Sequence, residues 1–416
     1  MSKELNFHTS PSAMEPLSPS DNGELEALSL ELIENISRLS GSMNATTRRA
    51  IAELLRPMNS YYSNLIEGHD THPIDIDRAL HSDYSENQTK RDRQQEAQAH
   101  IEVHKAIFEE IKNTSKQVIP SSFDFLKQLH RDFYLHLSEE MKTVRSKDGS
   151  ERKVVPGELR DCEVEVGNHV APAHENLSEF AERFEAYYNP TNASNSSKLK
   201  RIVSIAAAHH RLAWIHPFID GNGRVVRLYS DASFMYENLD ADGLWSISRG
   251  LARTRDQYHS MLANADLPRM GNHDGRGNLS NAMLVEFCKY FLKTAIDQVK
   301  FMYAALDTDN MLKRLNTFCD AMVARGKFKP EVRYILIDVF LKGKISKPEA
   351  MRITNTSDKT LKNMTDGLVE MGLLIPKKES ILMMYYAAYP ILVSPWIFPG
   401  LYPTNKESDM MDVDWS

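Results

Sequence analysis

The sequence of 416 residues is poor in cysteine, with only Cys162, Cys288 and Cys319, far apart. That spacing excludes a disulfide framework and a cysteine-type zinc site. A reducing, cytoplasmic compartment is the expectation. Excess positive charge is also missing: 50 Lys and Arg face 57 Asp and Glu, a net of -7. A protein whose whole surface grips nucleic acid is therefore not expected. No H-E-x-x-H pattern occurs, and the adjacent His209 and His210 point to different sides of a helix, so they read as structural and not as zinc ligands. Internal repeats are absent. Residues 1–24 lack an apolar core, so no secretory leader is expected there. The uncharged stretch Ile381 to Asn405 is interrupted by Pro390, Pro395, Pro399 and Pro403. It reads as a strand and an irregular tail packed on the body, and no membrane span is expected. The balance that remains, 42% hydrophobic and 26% charged, is that of a globular chain.

Apolar spacing predicts mostly helices. Leu25, Leu28, Leu32, Ile36 and Leu39 open a helical pattern that runs from Glu24 to Leu55. Arg56-Pro57 is expected to end it, and a short helix from Asn59 to Glu67 stops at Gly68. Further helices are expected over 90–112, 123–137, 177–188, 198–214 and 222–237, and helical segments continue to Leu306. The alternation Cys162-Glu163-Val164-Glu165-Val166, the turn Gly167-Asn168 and then His169 to Pro172 predict a small β-hairpin. After Phe328 come three short helices and two strands, 372–376 and 381–386, the pattern of a winged helix-turn-helix. Residues 1–23 read as a loose arm, and the acidic C-terminal end as mobile.

The segment that carries chemistry is His216-Pro217-Phe218-Ile219-Asp220-Gly221-Asn222-Gly223-Arg224-Val225-Val226-Arg227. A Gly- and Asn-rich loop runs straight into a helix, whose first N–H groups and positive dipole end form an anion site. Gly221 and Gly223 let backbone approach phosphate closely. Arg224 and Arg227 lie three apart and can reach one anion. Asp220 suits Mg²⁺ between two phosphates. His216 stands where a hydroxyl needs a base, and Phe218 anchors the loop in the core.

This segment resembles the motif of the Fic (Fic/Doc) family, H-x-F-x-[D/E]-G-N-G-R-x-x-R, at all eight defined positions. The resemblance, over about Leu25 to Leu306, implies a mainly α fold: a Fic helical core with a small β-hairpin flap. It implies protein adenylylation: His216 takes a proton from a Tyr, Ser or Thr hydroxyl, which attacks the α-phosphorus of ATP, and pyrophosphate leaves. Asn222 would contact the α-phosphate, Arg224 the β-phosphate and Arg227 the γ-phosphate, with Mg²⁺ on Asp220. Ser63-Asn64-Leu65-Ile66-Glu67-Gly68 is similar to the family's inhibitory pattern, [S/T]-x-x-x-E-[G/N]. By that likeness Glu67 pairs with Arg227 and keeps the γ-phosphate from docking productively. The hairpin at 162–172 resembles the flap that pairs with an extended target segment; a purely structural hairpin is the alternative. Tyr258, in Arg253 to Leu262, has two readings: a stacking partner for adenine, or a core tyrosine.

The expected division is 1–23 arm, 24–112 helical region with inhibitory helix, 113–306 catalytic core, 328–388 winged helix-turn-helix and 389–416 tail. A homodimer and removal of AMP as a second activity follow from the resemblance. Other readings stay open: transfer of another nucleotide or of a phosphoryl group, a self-modifying regulator, or a DNA-binding regulator with a nucleotide-sensing core. Gly223 favours AMP transfer, since the Doc kinases carry lysine there. Residues 331–380 hold nine Lys and Arg against seven Asp and Glu. Lys359, Lys362 and Asn363 could make a DNA patch, or the unit could dock a partner. The Asp274-Gly275-Arg276-Gly277 segment reads as a structural loop, with Ser280 as a helix cap.

Overall fold

The computed structural model describes residues 7–21, 23–113, 118–145, 149, 151–167, 169–192 and 197–413. It is mainly helical, as the apolar spacing predicts. The first helix, α1 (Glu24–Gly41), ends well before Pro57, and α2 (Ala45–Ile66) runs through that proline. The break lies at 42–44, where Asn44 caps α2 by accepting from the Thr47 N–H at 2.9 Å. Nearly every residue from Leu54 to Asn64 is buried. Packing on both faces outweighs the missing N–H of Pro57.

After α3 (Pro73–Leu80), α4 (Gln88–Asn113) crosses α2, and α5 (Phe123–Leu135) follows. A hairpin that the sequence reading lacks, β1 (Thr143–Arg145) with β2 (Glu151–Lys153), comes next. The expected hairpin is shorter than its alternation suggests: β3 (Glu165–Val166) pairs with β4 (His169–Val170). Then come α6 (Leu177–Tyr188), α7 (Lys198–Ile215) and α8 (Asn222–Tyr236), the pair that flanks the motif loop. Helices α9 (Ile247–Arg253), α10 (Arg255–Ala265) and α11 (Asn281–Ala305) complete this body. Helix α1 packs on α11 and α7. The loop before α11 is structural: Asp274 accepts from the Met270 and Ala282 N–H groups, and Ser280 caps the helix.

Beyond α12 (Thr308–Ala324), three helices, α13 (Val332–Lys342), α14 (Lys347–Thr354) and α15 (Asp358–Glu370), stand with a three-stranded antiparallel sheet. Its strands are β5 (Lys344–Ser346), β6 (Leu374–Glu379) and β7 (Leu382–Ala387), with β7 central. This part holds the start of α2, where Asn44 and Thr47 donate to Leu341 O and Phe340 O.

Residues 7–21 and 404–413 are packed where composition suggests a loose arm and a mobile end; residues 1–6 and 414–416 lie outside the described residues. Met14 and Leu17 are buried, and the fully buried Arg211 donates to Pro16 O at 3.1 and 2.9 Å. The last part forms α16 (Ser394–Ile397) and α17 (Thr404–Met411), with Met410 buried. Tyr62 donates to Leu401 O at 2.9 Å, and Lys406 pairs with Asp70 at 3.1 Å. Among the described residues no helix is long and apolar enough to cross a membrane.

Candidate active site

Helix α7 ends at His216, whose backbone is left-handed at φ 50°, ψ 60°. That turn sends the chain into the loop and leaves the imidazole on the wall of a cavity of about 960 Å³. Helix α8 begins after Gly221, at φ +80°. A Cβ at Gly221 would lie 2.8 Å from the Tyr134 ring, so both backbone and space require glycine.

The loop is held from three sides. Phe218 is fully buried and stacks on His130, ring centroids 4.0 Å apart. His130 accepts from the Gly157 N–H at 2.9 Å on Nδ1, which leaves Nε2 to donate to Asp220 O at 3.2 Å. Asn222 makes a reciprocal pair with the backbone of Phe218, accepting its N–H at 2.9 Å and donating to its carbonyl at 2.8 Å. Its amide thus braces the loop, while its N–H lies in the first turn of α8, on the cavity wall. Asn222→Ala leaves two buried backbone groups unpaired. Thermal unfolding should register a loss of about 2–4 kcal/mol.

Glu67, at the end of α2, comes down on this helix start. Arg227 Nη2 donates to Glu67 Oε1 at 2.6 Å and to Ser63 O at 3.0 Å, and Nε donates to Ser63 Oγ at 2.9 Å. The Arg227 side chain is 1% exposed. Burial alone would raise the Glu67 carboxyl, but Arg227 and then Arg224 outweigh it and hold it below its ordinary value. A Cβ at Gly223 would overlap Glu67 Oε1. Glycine at 223 is what lets the carboxylate reach Arg227.

Arg224 goes elsewhere. Its guanidinium lies 4.8 Å from the Phe133 ring centroid, pairs with Glu96 at 3.0 Å and reaches Asp220 Oδ2 at 3.3 Å. Glu96 also meets His69 at 2.5 Å. Sequence reasoning missed Glu96, which sits without any motif in the polar helix α4. Arg224 and Asp220 are not part of the cavity wall; Glu67, His216, Gly223, Arg227, Tyr258 and His169 are.

Asp220 has a side chain 44% exposed, and its side-chain ties, from Tyr134 at 2.6 Å and Arg224, both fall on Oδ2. Burial would raise its carboxyl, but Arg224 and the Tyr134 hydroxyl hold it low, so it is ionised. Among the described residues no group of three or more His, Cys, Asp or Glu could hold a metal. A single accessible carboxylate fits Mg²⁺ that takes its other ligands from phosphates and water. Burial first, then the charges of His169 and Arg160, push His216 down to about 4, so its imidazole is neutral at pH 7. Tyr258 is 3% exposed and its hydroxyl meets His209 Nε2 at 2.8 Å, so it is a packed tyrosine that also forms cavity wall.

Residues 120–232, which span this loop, match the sequence profile of the Fic/DOC family. The chain carries a Fic/DOC domain. A stretch of 79 residues is 43% identical to the protein adenylyltransferase Fic of Drosophila yakuba, covering 19% of this chain and 15% of that protein. The Drosophila mojavensis protein of the same name is 34% identical over 107 residues, 26% of this chain and 21% of that one. These matches thus span under a quarter of the relatives' length. The crystal structure of a Fic family protein from Desulfovibrio desulfuricans G20 superposes with a TM-score of 0.51 at 15% identity, over 89% of this chain and 98% of that one. That likeness speaks for the fold: a Fic-type helical core with a small hairpin.

Proposed function

We propose that this chain is a protein adenylyltransferase whose Fic/DOC domain moves AMP from ATP to a Tyr, Ser or Thr hydroxyl, and that Glu67 restrains it. The observation that carries the reading is one cavity wall shared by a neutral His216, the open first turn of α8 and Arg227 under Glu67.

His216 accepts the hydroxyl proton as the oxygen attacks the α-phosphorus, and pyrophosphate departs. The N–H groups at the start of α8 meet the growing negative charge on the phosphoryl oxygens. Asp220 would hold Mg²⁺, which supplies charge compensation on the phosphates. Arg227, freed from Glu67, grips the γ-phosphate, and Arg224 the β-phosphate once Glu96 yields it. A carboxylate and a phosphate compete for one guanidinium, which is how Glu67 restrains transfer. Removal of AMP by a water oriented on Glu67 belongs to the same proposal.

The test is protein-dependent release of pyrophosphate from ATP, lost in His216→Ala. Release unaffected by that substitution would overturn the assignment. A pH profile adds a second check. A base with its pKa lowered keeps its reactive neutral form until pH falls through that value. The acid limb of kcat/KM, which reports the free enzyme, is expected near about 4 and not near the 6.5 of an unburied histidine. A limb near 6.5 would contradict a buried base.

A further inference from the structure

The hairpin β3–β4 is too short to hold its own place, because strands of two residues make few bonds. Its position is set by side chains from other elements. At its base, Arg160 is 3% exposed and donates from Nη1 to Cys162 O at 2.8 Å and from Nη2 to Pro172 O at 2.5 Å. Those carbonyls belong to the two stems of the hairpin. The same guanidinium donates from Nε to His216 O at 2.9 Å, and the Arg160 backbone N–H donates to Pro217 O at 2.9 Å. One buried side chain thus joins both stems to the loop that carries the base.

Nearer the turn, His169 of β4 makes a second attachment. Its Nε2 lies 2.7 Å from Trp214 O, two residues before His216, and its Nδ1 lies 3.2 Å from Asp266 Oδ2. Asp266 is itself fixed. His210 Nδ1 accepts from Arg211 at 2.7 Å, so Nε2 is the donor to Asp266 Oδ1 at 3.1 Å. The anchor at 266 therefore rests on the fully buried Arg211, which also holds the N-terminal segment at Pro16.

We infer that Arg160 and His169 are positioning residues for the protein substrate, setting the distance between the hairpin edge and the His216 imidazole. The inference rests on the reading above, in which the hairpin holds an extended segment of the target. Its consequence is selective. Loosening either attachment moves the acceptor hydroxyl relative to the base, while the ATP-binding turn of α8, held by Asn222 and His130, stays in place. A small displacement of a reacting atom is enough to slow transfer severely.

The experiment uses the full chain with Glu67→Gly as parent, compared with Arg160→Lys and His169→Ala in the same background. Lysine keeps the charge but not the planar fork that reaches three carbonyls. Hydrogen exchange over 162–172 and over α7 and α8 is measured together with steady-state AMP transfer. The acceptor probe is the chain bearing Glu67→Gly and His216→Ala, added in trans. Each variant is expected to speed exchange in 162–172, to raise the KM for the acceptor and to lower kcat, so that kcat/KM for the acceptor falls by about tenfold or more, the scale of one net hydrogen bond. The KM for ATP should rise much less than that for the acceptor, and exchange in α8 should not change. Unchanged exchange at the hairpin overturns the inference, as does exchange that rises equally through α7 and α8. A KM for ATP that rises as much as that for the acceptor also overturns it. If the parent transfers no AMP at all, the adenylyltransferase reading fails, and hydrogen exchange still decides whether these two side chains hold the hairpin.

Discussion

Glu67→Gly is expected to raise AMP transfer by about ten- to a hundredfold. The bond that it removes, Arg227 Nη2 to Glu67 Oε1 at 2.6 Å, joins opposite charges beside a guanidinium almost wholly out of water. A hydrogen bond to a charged group is worth about 1.5–3 kcal/mol, which converts to that range of rates if phosphate must displace the carboxylate. The substitution also clears the space against Gly223 that the carboxylate fills. Glycine is tolerable at this position, because Glu67 is the last residue of α2's turn and Gly68 already follows. Initial rates at saturating ATP decide it. A rate equal to or below that of the unaltered chain would mean that Glu67 is an ordinary structural ion pair.

His216→Ala is expected to lower transfer in the Glu67→Gly background by about a hundred- to ten-thousandfold, the usual contribution of a general base. ATP binding should survive, since the first turn of α8 is braced by Asn222 and His130 and not by the His216 ring. The measurement is transfer rate alongside ATP affinity. A lost rate with retained affinity assigns His216 to chemistry. A loss of both in equal measure would make it a scaffold residue.

What could be read from the sequence was the chemistry that is local in the chain. His216, Gly221, Asn222, Gly223, Arg224 and Arg227 lie within twelve consecutive residues, and a helix start is an anion site wherever it occurs. Even there, the side chain of Asn222 serves Phe218, because a tight loop must pair its own buried amides first. Ser63 and Glu67 were legible as a pattern, but the helix that bears them was not. Arg56-Pro57 reads as a break before a short helix from Asn59, whereas burial on all sides carries α2 through the proline. Glu96, Arg160 and Asp266 had no local signal. Their roles come from partners over 50 residues away in all three cases, and such pairings are made by tertiary packing. The packing of 7–21 and 404–411 is hidden for the same reason. Polar composition suggests mobility, but a few apolar plugs, Met14, Leu17 and Met410, fix these segments.

The central claim is that the phosphate moved is the α-phosphate. The most direct measurement incubates the Glu67→Gly chain with Mg²⁺ and ATP labelled at the α position, in parallel with ATP labelled at the γ position, each with a control bearing His216→Ala as well. The account predicts label on protein from the α position, none from γ, and none in the control. Label from the γ position would contradict it, and would make the chain a phosphoryl-transfer enzyme despite Gly223.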